Sequence, residues 1–150
     1  MPLDPLRFLS QLHGHLGWLA AAALVHPAVV LRKAGRRAPW AITLSTALVT
    51  AASSAGALLY GPYRETVKPS LFRVAPTVGW MFERKEHLAF GATALAWAGA
   101  LAMVAARRGP PESRAHLAKA SWVAFVASAA FALTSALLGT WVASVEGFCR

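Results

Sequence analysis

Five histidines are the side chains of this sequence best suited to chemistry, and Glu83, Glu86 and Glu112 stand close to two of them. An imidazole binds iron, copper or zinc through one ring nitrogen while the other donates a hydrogen bond that fixes its orientation. His13 and His15 lie in the run LHGHLGW, His26 precedes Pro27, His87 directly follows Glu86, and His116 comes four residues after Glu112. The sharpest pairing is His15 with His87, because two imidazoles from different helices can hold a haem iron from opposite faces. Gly14, Gly17 and Gly91 would leave room for a flat macrocycle beside them. Arg64, Lys68 and Arg73 are then the candidates for charge-assisted bonds to haem propionates. His26 is an alternative ligand, a donor to a backbone carbonyl freed by Pro27, or a proton relay.

A carboxylate–histidine metal site is the other chemistry this spacing allows. Glu83 and His87 are four apart and would share a helical face. With His13 or His15 added, that pair forms a candidate site for zinc, copper or iron. Glu112 and His116 repeat the spacing, and a short helical surface bond explains both pairs equally well.

Four apolar stretches, 12–31, 40–60, 87–106 and 120–145, must position these groups. A helix rises about 1.5 Å per residue and the hydrocarbon core is about 30 Å thick, so roughly 20 apolar residues span it. The expected fold is an all-α integral membrane four-helix bundle, one four-span domain over 1–150, with an interfacial proline-rich loop between the second and third helices. His15 and His26 are eleven residues apart, about three turns, so they project from one face and are separated by about 16 Å of rise. That face is expected to look into the bundle. His15 and His87 are both expected near the outer interface.

In general plan this arrangement is similar to small b-type cytochrome membrane anchors, which hold haem between histidines on adjacent helices. The likeness covers bundle size and histidine placement. It implies haem b and electron transfer, with a quinone or a partner subunit exchanging electrons at the outer side. A reading from a different class is a cofactor-free accessory subunit of a larger membrane complex. Small residues recur every fourth position, at Thr43, Ala47, Ala51 and Ala55, at Ala92, Ala96 and Ala100, and at Ala124, Ser128, Ala132, Ala136 and Thr140, and such stripes let helices approach closely.

Composition agrees with a membrane location. The chain is 57% hydrophobic and 14% charged, with a mean hydropathy of +0.48, more apolar surface than a soluble domain of this size can hide. The net charge of +9 does not indicate nucleic acid, because the basic residues fall between the spans. Arg32, Lys33, Arg36 and Arg37 in the first connection, with Arg107, Arg108, Arg114 and Lys119 in the third, predict cytoplasmic loops. A multi-pass protein of the cell membrane with both termini outside follows. The middle connection, 61–86, is the counterweight, with five basic residues against three acids.

Pro62, Pro69 and Pro76 recur in that connection among Tyr63, Phe72, Trp80 and Phe82, a mixture suited to the headgroup region or to docking a partner. Trp18, Trp40, Trp80, Trp122 and Trp141 fall near span ends as interfacial anchors, and Trp97 lies mid-span, filling volume. Pro110 and Pro111 are expected to precede or open the last helix. The N-terminal segment lacks the layout of a cleaved signal peptide, so the first span is expected to stay. Cys149 has no second cysteine to pair with. No phosphate loop, GxSxG, CxxC or CxxCH motif occurs, which leaves enzymatic activity without a signature. No acid falls deep inside a span, against ion transport through buried carboxylates.

Overall fold

Proline opens or nearly opens each helix of this chain, where its missing N–H is free of any intrahelical partner and its fixed φ suits the first turn. The computed structural model describes residues 5–33 and 38–148, with side chains as far as residue 145. Arg36, Arg37, Cys149 and the side chain of Glu146 lie outside what is described. Among the described residues there are five helices and no strand: α1 Pro5–Val30, α2 Pro39–Thr66, α3 Lys68–Val74, α4 Pro76–Arg108 and α5 Pro111–Phe148. Pro111 opens α5 as the sequence predicts.

Three helices, α2, α4 and α5, are long and apolar enough to cross a membrane. The sequence predicts four such segments. The difference is α1, whose 26 residues include Gln11, His13, His15 and His26, and these polar groups lower its hydropathy.

Successive long helices run antiparallel. On the α2–α4 seam, Ser53 Oγ meets Thr93 Oγ1 at 2.6 Å and Trp97 Nε1 donates to Thr50 Oγ1 at 3.1 Å. Between α4 and α5, Ser128 Oγ donates to Ala92 O at 2.7 Å and Ser135 Oγ to Lys85 O at 3.2 Å. Trp18 Nε1 donates to Thr140 Oγ1 and Trp122 Nε1 to Ala28 O, joining α1 to α5 at two levels ten residues apart on α1. Each bond pairs a polar side chain across a helix–helix seam. The shared core is built from Ala20, Ala21 and Leu24 of α1, Ile42, Val49 and Ala52 of α2, Ala92, Ala96 and Met103 of α4, and Phe125, Ala129 and Ala132 of α5.

Close approach explains the small residues. The ring of Phe125 lies against Gly99, where an added Cβ would fall 3.0 Å from it, and Phe131 lies over Gly91 in the same manner. The α4 stripe at Ala92 and Ala96 and the α5 stripe at Ser128 and Ala132 are buried in this way. On α2 the expectation needs correction. Its inner face is Ile42, Ser45, Val49, Ala52 and Ala55, whereas Thr43, Ala47 and Ala51 are exposed.

The expected loop at 61–86 is also corrected. It is nearly all helix, because α2 continues through Pro62 to Thr66, α3 occupies the middle, and α4 begins at Pro76. Pro69 and Pro76 sit in first turns, where proline favours a helix. Leu71 of α3 joins Val78 and Phe82 of α4 and Val142 of α5 in a second apolar cluster, with Tyr63 stacked on Phe82 at 5.1 Å. Lys68 and Glu83 form an ion pair that pins α3 to α4 and raises the Lys68 ammonium above the ordinary lysine value.

Candidate functional site

The histidines do not converge. His13 is half-buried between α1 and α2, where its Nδ1–H donates to Ala52 O at 2.9 Å and its ring lies so close over Gly56 that an added Cβ would come within 2.8 Å. His15 and His87 are exposed, each with Nδ1 bonded to the carbonyl four residues earlier, Gln11 O at 2.7 Å and Glu83 O at 2.8 Å. His15 stands five residues before buried Ala20, and His87 five before buried Ala92. At about 100° per residue, each ring is turned roughly 140° from its helix's inward direction.

Their depths differ as well. The His13–Ala52 and Ser53–Thr93 bonds place His13 nearly level with Thr93, so His87 lies about 9 Å farther towards the α3 end, and His15 a few ångströms the other way. Bis-imidazole ligation needs two rings facing one iron at one depth. His15 and His87 of one chain therefore do not fit a haem held between them inside the bundle. His26 shares the face of His15, as the eleven-residue spacing predicts, but both are exposed, so that face looks outward. Leu24 and Pro27 take the inward positions.

The carboxylate–histidine pair is joined differently from expectation. His87 bonds the backbone carbonyl of Glu83, while the Glu83 carboxylate takes Lys68. Among the described residues no three histidine, cysteine, aspartate or glutamate side chains gather as a metal ion would need. Arg64 is exposed at the end of α2. Arg73 is exposed on α3, its Nε donating to Pro69 O at 3.3 Å, and His116 is exposed on α5.

A groove between α2 and α4 is the feature that histidine-led reasoning misses. It offers about 550 Å³ of space open along one side, and Pro39, Thr43, Ala47, Ala51 and Ser54 on α2 face Trp97, Ala100, Val104 and Arg107 on α4 across it. The groove exists because α2 and α4 meet over a smaller contact than α1 with α2 or α4 with α5. Trp97 is 49% exposed on its wall, yet its indole N–H is tied to Thr50. Thr46 also lines it, and its buried hydroxyl has no hydrogen-bond partner among the described residues. The signal in the sequence was the Thr43–Ala47–Ala51 stripe. Comparison with known protein families, with curated proteins and with solved structures finds no match for this chain. What the fold and the groove define is a class: an all-helical protein with three helices fit to cross a membrane.

Proposed function

We propose that this chain is a four-span membrane subunit that works by assembling into a larger membrane complex, with the outer face of α1 as its docking edge. The observation that carries this reading is the exposure of His15 and His26 on that face, in line with Leu19, Ala22 and Val29. An imidazole facing lipid is costly, and ionisable groups within spans are ordinarily covered by protein or water. A partner helix laid along α1 would cover both rings and leave the apolar side chains between them in contact.

The same packing supports α1 as the fourth span. Its contacts with α5 run from Trp18 to Ala28, and its 26 residues extend about 39 Å. A helix of this length, packed against α2 and against α5 over the roughly 15 Å from Trp18 to Ala28, is long enough to cross the layer beside them.

A photo-crosslinking residue at Ala22 is expected to give a discrete protein adduct in native membranes, lost in His26→Leu, while the same residue at exposed Leu101 on α4 gives lipid adducts. Lipid adducts alone from both positions would overturn the assembly reading. Orientation is proposed from the basic loops, with the α3 end outside. In a Cys149→Ser background, Thr77→Cys should react with an impermeant reagent added outside and Glu112→Cys should be protected; the reverse labelling inverts the topology.

One observation favours a haem-binding form of this subunit. The Nδ1 bonds of His15 and His87 leave Nε2 free in each ring, which is the orientation an axial ligand takes. On this second reading one outward ring supplies a ligand to haem b at the subunit boundary, the partner supplies the other, and quinone exchanges electrons there. A Soret band that shifts on reduction in the complex, absent from the isolated chain, is the result expected of it.

A further inference from the structure

We infer that the groove between α2 and α4 seats one hydrocarbon chain of an anionic phospholipid, with the phosphate held by Arg107 at its mouth. The size of the groove selects the occupant. From Pro39 to Ser54 it runs about 22 Å along α2, and its 550 Å³ spread over that length gives a mean cross-section of about 25 Å². A helix about 10 Å across needs roughly 80 Å². A polymethylene chain, with carbon contacts at about 4 Å, needs roughly 15–20 Å². The groove is therefore matched in section to a single hydrocarbon chain, which it can seat along its length.

Charge selects the headgroup. The walls between Thr43 and Val104 are apolar or carry small hydroxyls, whereas the end formed by the last turn of α4 carries Arg107 next to Arg108, both exposed. A guanidinium presents paired donors that match phosphate oxygens. Basic pockets between spans at the cytoplasmic surface are sites for anionic headgroups, and the proposed orientation puts Arg107 at that surface. Trp97 lies on the wall of the groove, where a bound chain passes it, so its fluorescence reports occupancy.

The inference rests on the membrane-spanning reading above, and the test separates the two. Detergent-purified protein is titrated with phosphatidylglycerol or phosphatidylcholine carrying brominated chains, and the Trp97 signal is taken as the difference between the parent and Trp97→Phe. Phosphatidylglycerol is expected to quench Trp97 half-maximally at a several-fold lower concentration than phosphatidylcholine. Arg107→Gln should remove that advantage, and Ala51→Phe, which fills the groove from an exposed position, should remove quenching at low lipid with helicity unchanged. Equal quenching by the two lipids, or a preference that survives both substitutions, overturns the lipid site. In brominated phosphatidylcholine bilayers, absence of quenching of the other tryptophans overturns the spanning and the inference with it, whereas quenching there without a phosphatidylglycerol preference in detergent overturns the lipid site alone.

Discussion

Phe125→Ala is expected to destabilise the helix packing by about 2–3 kcal/mol, whereas Val126→Ala, one residue away, changes stability by less than about 0.5 kcal/mol. Phe125 is fully buried with its ring against Gly99, and Val126 is 42% exposed. In water a buried Phe→Ala change costs about 3–5 kcal/mol, of which part is lost transfer energy. Helices that separate within a bilayer stay in an apolar medium, so the transfer part shrinks and the packing part remains. A residual cavity of roughly 100 Å³ at about 24 cal/mol per Å³ gives about 2.4 kcal/mol. Unfolding of the reconstituted protein by a denaturing detergent measures it, and equal effects at the two positions would mean that α5 is rotated from the orientation described.

Gly56→Leu is expected to cost about 1–3 kcal/mol, the usual range for overpacking, and His13→Ala in the same chain should recover most of that loss. The His13 ring occupies the space a side chain at position 56 would enter, and its hydrogen bond to Ala52 O keeps it there. Gly56→Leu must expel the ring or push α1 from α2. Truncating His13 vacates the site, so the two changes should be strongly non-additive in a double-mutant cycle. Additive effects would place the imidazole elsewhere. The pair also bears on function, because it holds His13 in the α1–α2 seam, at a level about 9 Å along the bundle from His87.

Where the four apolar helices lie follows from the sequence alone, though not their full extent. Apolar stretches of 20 or more residues must satisfy their own backbone hydrogen bonds, which only a helix does within one segment, and Pro111 marks the start of the last one. The stretch 61–86 was harder to read locally, because a proline reads as a break within a loop and as a start once a helix follows it. Only the mutual packing of α2, α3, α4 and α5 around Leu71 and Phe82 selects the second.

Rotation and depth were decided by tertiary structure. A helix that is apolar on most of its circumference carries no strong signal of its inward face, so α1 could have turned His15 and His26 in or out. Burial of Ala20, Leu24 and Pro27 against α2 and α5 turned them out. The offset between His15 and His87 is set through α2, which touches both α1 and α4, and no spacing within either segment encodes it. The groove has the same origin. Thr43, Ala47 and Ala51 could equally have been a packing face, and they line an open cleft because α2 spends its larger contact on α1, and α4 on α5. Sequence thus determined the element type through local hydrogen-bond necessity, while the faces and the levels that make a site were decided by which side chains fit against one another.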